Sequence, residues 1–185
     1  MINTPKTSRR QEVDTVIIDG SLTGLIHALM LKSLGHSVVI FEQGHSDRGG
    51  HGAGISAGPL VQEFFSKYGL KKGDYAIDAV EIRMLNRDGM GKRRIRKSYT
   101  LTSWSVLYHL LRAKFDGFVV PGKFGNDTET EARFEERKKV FDVEDDGKRV
   151  RTTYRDLDTL TEHVVSAHLV IAADGPNPFT ASAGK

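Results

Sequence analysis

The sequence predicts an α/β protein: a parallel sheet built on an opening βαβ unit, with an antiparallel β-hairpin or meander inserted late in the chain. Three observations carry this. Residues 13–43 read V-D-T-V-I-I-D-G-S-L-T-G-L-I-H-A-L-M-L-K-S-L-G-H-S-V-V-I-F-E-Q, where two short apolar runs flank a stretch of helical period. Residues 132–155 are two strand-like runs joined by Asp145-Asp146-Gly147, a hairpin signal. Leu169-Val170-Ile171-Ala172-Ala173 has the composition of a buried parallel strand and runs into Asp174-Gly175.

Taken in order, residues 1–12 are polar and read as a flexible tail. Val16-Ile17-Ile18 has the length of a buried strand, and Asp19 to Gly24 is a turn. Leu22, Leu25, Ile26, Leu29, Met30 and Leu34 then recur at helical spacing until Gly35-His36. Val38-Val39-Ile40-Phe41 is a second strand, closed by Glu42. Strand, tight turn, helix and strand within about 30 residues is the unit that opens a dinucleotide-binding domain. The first turn of such a helix holds amides with no intrahelical acceptor and the positive end of the helix dipole, so a pyrophosphate suits it. An acid on the second strand suits a ribose, and Glu42 follows Gly24 by 18 residues (42 − 24). The three positions of G-x-G-x-x-G are Asp19, Ser21 and Gly24, with a further glycine at Gly20. A carboxylate at position 19 repels a pyrophosphate, and solvent weakens that repulsion without removing it. Two readings stand: a nucleotide site, or a βαβ unit that packs well and binds nothing.

Residues 44–59 hold six glycines in sixteen positions, which reads either as a surface loop or as backbone passing close to a ligand. His45 and His51 in this loop have no acids clustered with them, so no metal is expected. Pro59 to Tyr68 is a short helix with Leu60, Val61, Phe64 and Phe65 on one side. Ala79 to Leu85 is a strand followed by the turn Asn86-Arg87-Asp88-Gly89. The basic run Lys92 to Lys97 reads as a solvated strand or loop. Leu101 to Lys114 is a helix, capped by Thr102 or Ser103, with Trp104, Leu107, Leu110 and Leu111 as its apolar stripe. Arg112 lies off that stripe, either as a surface cation near the helix C-terminus or as a phosphate or ribityl contact. Phe118-Val119-Val120 is a short strand and residues 122–131 a polar loop. Residues 132–144 and 148–155 form the hairpin, and residues 160–165 add a third antiparallel strand. Asp174 lies at the C-terminal end of a strand, where open α/β sheets place ligands.

Composition bounds the function. The chain of 185 residues suits one domain, or one and a fraction, and 38% apolar residues suffice for a core. A net charge of +3, with no basic stripe interleaved with aromatics, does not argue for nucleic acid. The absence of cysteine removes disulfides and thiolate chemistry. The polar N-terminus lacks a secretory h-region, and no run approaches the ~18 apolar residues of a membrane span. A soluble, cytoplasmic protein with no membrane or nucleic-acid partner is the expectation.

Four segments, in order, resemble the N-terminal FAD-binding part of the FAD-dependent aromatic hydroxylases, the single-component flavoprotein monooxygenases. They are V-I-I-D-G-S-L-T-G-L with Glu42, G-A-G-I-S-A-G-P at 52–59, S-W-S-V-L-Y-H-L-L-R at 103–112, and L-V-I-A-A-D-G-P-N at 169–177. The resemblance implies a Rossmann-like, FAD/NAD(P)-binding core over residues 13–178, with the β-meander inserted at about 132–165. By position it implies that Gly20, Ser21, Leu22 and Gly24 meet the pyrophosphate, Glu42 the adenosine ribose and Arg112 the FAD. It implies that Asp174 and Gly175 form the motif tied to FAD and NAD(P)H. The implied reaction is reduction of FAD by NAD(P)H and insertion of one oxygen atom of O2 into a small aromatic-type substrate, with no catalytic side chain required. Two features depart from the family. Asp19 replaces a glycine, and the chain ends at Lys185 before the family's later G-D motif, so residues 179–185 read as a truncated end with little hydroxylase activity expected of this chain alone.

Overall fold

The computed structural model describes residues 11–45, 52–117 and 132–175. In chain order the elements are β1 (Gln11–Ile18), α1 (Leu22–Ser33), β2 (Val38–Phe41), β3 (Gly54–Ser56), α2 (Pro59–Lys67), α3 (Lys72–Tyr75), β4 (Ile77–Leu85), β5 (Gly91–Ser103), α4 (Trp104–Asp116), β6 (Ala132–Glu135), β7 (Lys138–Asp145), β8 (Val150–Asp156) and β9 (Glu162–Ala172). They divide into two compact units, one formed by the residues before Gly49 together with those from Leu111 on, the other by Gly49–Leu110.

The first unit is built on a six-stranded sheet of order β6-β2-β1-β9-β8-β7. β6, β2, β1 and β9 are mutually parallel, and β9-β8-β7 are antiparallel. β2 is buried at all four positions, as a near-continuous apolar run in a parallel layer requires. One cluster of the core joins Val16, Ile18, Val39 and Phe41 to Val140 and Val165, and Tyr154 packs its ring 4.3 Å from that of Phe41. α1 packs mainly on β1 and β2 through Gly24, Leu25, Ala28 and Leu29. The expected stripe is therefore rotated: Met30 and Leu34 are exposed, because the glycine and alanine let the helix approach on a narrower face.

The predicted parallel sheet and antiparallel meander are both present, with two boundaries moved. The run 132–144 is two strands. Arg137 takes a left-handed φ of 58°, which ends β6 beside β2 and starts β7 against β8. Conversely, the separate strands expected at 160–165 and 169–173 are the single strand β9. Its first half pairs antiparallel with β8 and its second half parallel with β1, overlapping at Val165 to Ala167. The meander thus runs β7-β8-β9, and residues 132–135 belong to the parallel layer. Leu169 in β9 is exposed rather than buried. The strand also begins earlier than expected at the N-terminus, since Gln11 and Glu12 already pair with Val165 and Ser166.

In the second unit the three-stranded antiparallel sheet has order β3-β5-β4. The basic run at 92–97 lies in β5, and Arg94 pairs with Glu81 across the ribbon. The predicted helix from residue 101 starts instead at Trp104, because Leu101 to Ser103 are held as strand by Ile77 and by Gly54 to Ser56. Ser103 Oγ accepts the Val106 amide at 3.3 Å and so caps α4, while the Thr102 hydroxyl donates to the Tyr75 carbonyl. Phe65 and Tyr75 are buried with rings 4.7 Å apart, but Leu60 is exposed. The expected strand at 118–120, the loop at 122–131 and the ends of the chain lie outside the described residues.

Candidate nucleotide site at the carboxyl end of the parallel sheet

β1 ends in the turn that leads into α1. Asp19 has φ 79°, in the left-handed region where glycine is favoured and aspartate is among the few tolerated residues. Its amide donates to the Phe41 carbonyl at 2.9 Å, which ties the turn to β2. Ser21 is the N-cap of α1, and its hydroxyl makes no capping bond. The first intrahelical bond runs from the Leu25 amide to the Ser21 carbonyl at 2.9 Å. The amides of Leu22, Thr23 and Gly24 therefore precede the helical ladder and point out of its positive end.

Packing uses the space left at both glycines. A methyl group at position 24 would lie 2.1 Å from the Asp19 carbonyl oxygen, so Gly24 sets how closely the helix start approaches the turn. A methyl group at position 20 would lie 2.3 Å from Cζ of Phe134, so an aromatic ring from β6 occupies the space that Gly20 leaves.

Glu42 follows β2 and is 1% exposed. Its Oε2 accepts the Gly20 amide at 3.0 Å and its Oε1 the Gly44 amide at 2.6 Å. Its own backbone is held by Glu135 and Lys138, each at 2.9 Å. The carboxylate is turned into the corner between the β1 and β2 ends rather than toward solvent.

Arg112 is not a surface cation. It is 4% exposed, on the last turns of α4. Its Nε and Nη2 donate to Asp116 Oδ2 at 3.0 and 2.9 Å, and Nη1 meets Glu136 Oε1 at 3.5 Å. The guanidinium carbon stands 3.5 Å from the centroid of the Phe134 ring. Glu136 also faces His45 at 3.7 Å. Phe134, Glu136 and Asp116 were not singled out from sequence, and the reading of residues 132–144 as one strand hid the break at Arg137 that leaves Glu136 at the end of β6.

The Ala173 amide donates to the Ile18 carbonyl at 2.9 Å, which sets Asp174 at the end of β9 alongside the end of β1. Asp174 is half-buried and Gly175 has φ 81°. Beyond Glu136, Lys138 pairs with Asp156 at 2.9 Å, and this pairing with the Asp158 and Thr159 amides holds the Asp156 carboxyl down at about 2. The structure thus brings Gly20, Ser21, Leu22, Gly24 and Glu42 to one sheet end, with Asp174-Gly175 on the neighbouring strand end and Arg112 behind Phe134. Part of the glycine-rich loop, residues 46–51, lies outside the described residues. The arrangement offers amides and a helix dipole to an anion, and a buried acid beside them.

Comparison with known proteins bears on the family and the fold. The FAD binding domain family matches residues 12–183. No curated protein matches by sequence. Among solved structures, 2,6-dihydroxypyridine-3-hydroxylase from Arthrobacter nicotinovorans is similar with a TM-score of 0.69 at 21% identity, over 93% of this chain and 39% of that one. p-Nitrophenol 4-monooxygenase PnpA from Pseudomonas putida DLL-E4 has a TM-score of 0.76 at 15% identity, over 94% of this chain and 44% of that one. The flavin-dependent monooxygenase PieE, solved with FAD and substrate, has a TM-score of 0.75 at 16% identity, over 94% of this chain and 32% of that one. The chain therefore spans less than half the length of these relatives, and the likeness to them is one of fold. With the parallel sheet, the close helix start and the inward acid in place, the chain belongs to the FAD binding domain family and shares its fold with flavin-dependent hydroxylases and monooxygenases.

Proposed function

We propose that this chain binds FAD as the nucleotide domain of an aromatic-hydroxylase type monooxygenase. The observation that supports it best is the corner itself: Glu42, 1% exposed, joins the Gly20 and Gly44 amides beside the N-terminus of α1. The diphosphate is assigned to the amides of Ser21, Leu22 and Gly24, where the helix end stabilises an anion, and to the backbone of Gly20 beside them, whose own amide is given to Glu42. The adenosine ribose is assigned to Glu42, and Asp174 and Gly175 to the flavin and NAD(P)H side. Gly24 keeps the helix start against the turn. A bound flavin supplies hydride acceptance from NAD(P)H and oxygen transfer from O2, and the protein's part is to bind, orient and shield it. The substrate class is a small aromatic-type molecule. No helix among the described residues is long and apolar enough to cross a membrane. We assign the protein to the cytoplasm, without nucleic-acid or membrane partners.

A second reading is a nucleotide-binding module without oxygenase chemistry, which the same corner would serve, since its contacts are assigned to the adenosine-diphosphate half. Purified protein titrated with FAD and with ADP decides. Binding of FAD, with absorbance at about 450 nm that bleaches on addition of NADPH, supports the flavoprotein. Binding of ADP with no retained flavin supports the module, and no binding of either removes both.

A further inference from the structure

The contacts of Arg112 described above run through Phe134 to the nucleotide corner. We propose that Arg112 is a positioning residue for the adenosine-diphosphate half of the cofactor, acting through Phe134 without touching the dinucleotide. The inference rests on the FAD reading above and goes beyond it, since the family resemblance implies a direct contact.

The geometry is a relay of four groups. Asp116, one helical turn on, holds Nε and Nη2 of Arg112 at 3.0 and 2.9 Å, and Glu136 holds Nη1 at 3.5 Å. With its nitrogens held by two carboxylates, the guanidinium carbon sits over the Phe134 ring, 3.5 Å from the centroid. The other end of that ring fills the space a Gly20 side chain would take, with Cζ and Cε2 at 2.3 and 2.5 Å from the methyl position. Gly20 in turn donates its amide to Glu42 Oε2 at 3.0 Å. The stack fixes the ring, the ring fixes the turn, and the turn fixes the acid assigned to the ribose. A direct contact with the dinucleotide would require the guanidinium to give up its bonds to Asp116 and Glu136. Lysine keeps the charge but has neither the fork nor the flat face.

The test uses the whole chain and titrates ADP and FAD separately into wild type, Arg112→Lys, Arg112→Gln, Phe134→Leu and the Arg112→Gln/Phe134→Leu double variant. Circular dichroism corrects each titration for the folded fraction. Both Arg112 variants are expected to raise Kd for ADP and for FAD by the same factor, about 5- to 20-fold, and Phe134→Leu to act in the same direction. The double variant is expected to be no weaker than the weaker single one. Loss of FAD affinity with ADP affinity intact would overturn the proposal in favour of contact with the flavin end. Additive losses in the double variant, recovery by lysine, or unchanged Kd on the folded fraction would each overturn it as well. If the Arg112 variants do not fold, Phe134→Leu carries the test: equal loss for both ligands supports the relay, and no loss ends it. Wild type that binds neither ligand removes the FAD reading itself, whereas wild-type binding with additive losses removes only the relay.

Discussion

At Gly24 two effects of a methyl group oppose each other. Alanine in a helix is ordinarily better than glycine by about 1 kcal/mol. Here the methyl would meet the Asp19 carbonyl oxygen at 2.1 Å and Ile17 Cγ2 at 3.3 Å, and a backbone oxygen cannot swing aside as a side-chain end can. Overpacking of this kind costs about 1–3 kcal/mol, so Gly24→Ala is expected to lower the urea midpoint and to weaken ADP binding. Equal or greater stability would show that the helix start is loosely held. Asp19 shows a different balance. Its φ of 79° suits glycine, so Asp19→Gly removes a charge from the turn without forcing a new backbone shape. FAD or ADP binding is expected to tighten by up to about 1–2 kcal/mol, the range for charges at a helix N-terminus. Unchanged affinity in calorimetry would mean that the carboxylate does not face the diphosphate. Both substitutions bear on a site legible from sequence as a pattern. The use made of the space at Gly20 was not legible, because the ring that fills it comes from residue 134.

The end of β8 shows how one side chain ties two elements. Asp156 accepts Lys138 Nζ from β7 at 2.9 Å, and its other oxygen accepts the Asp158 and Thr159 amides at 2.9 and 3.2 Å in the turn toward β9. The lysine first, then these amides, hold its carboxyl at about 2 instead of 3.8. The folded-state value is the lower one, so the unfolded chain binds the proton more readily. The stabilisation is therefore complete above the unfolded value and fades as pH falls from 3.8 to about 2. Urea midpoints measured through that window should fall with pH in the wild type and fall less steeply in Asp156→Asn. Parallel slopes would remove Asp156 from the acid response. The hairpin itself was plain in the sequence from Asp145-Asp146-Gly147. What single-strand pattern could not show is that β9 changes partners along its length. Apolar residues at Leu169 to Ala172 look the same whether they open a new strand or continue one, and only pairing with β1 decides.

At the scale of the whole molecule, cofactor binding and folding are linked. A ligand that binds only the folded state stabilises it by RT ln(1 + [L]/Kd), about 2.7 kcal/mol at a hundredfold excess over Kd. FAD at that excess should shift thermal unfolding of the sheet unit accordingly. Because the site is assigned to the adenosine-diphosphate half, ADP at the same multiple of its own Kd should shift it as much. A shift with neither nucleotide, in differential scanning calorimetry, would leave the chain as a fold without the ligand. The second unit, residues 49–110, holds none of Gly20, Glu42 or Asp174, so a separate transition for it should not move with nucleotide. The exposed apolar residues Val80, Ile82 and Met84 on β4 belong to that unit and take no part in the proposed site.

The sequence alone determined the class of fold, the opening βαβ unit, the hairpin and the family, because these follow from local period, turn chemistry and motif order. It also determined which positions gather at the sheet end, since residues that close parallel strands share one edge whatever lies between them. Tertiary structure alone decided how that edge is filled. It turned Glu42 inward onto two amides, buried Arg112 between two acids and a ring, and set Phe134 against Gly20. The contacts of Glu42 with Gly20, of Arg112 with Glu136 and of Phe134 with Gly20 join residues more than 20 positions apart, and no periodicity in a chain encodes which distant neighbour a side chain will meet.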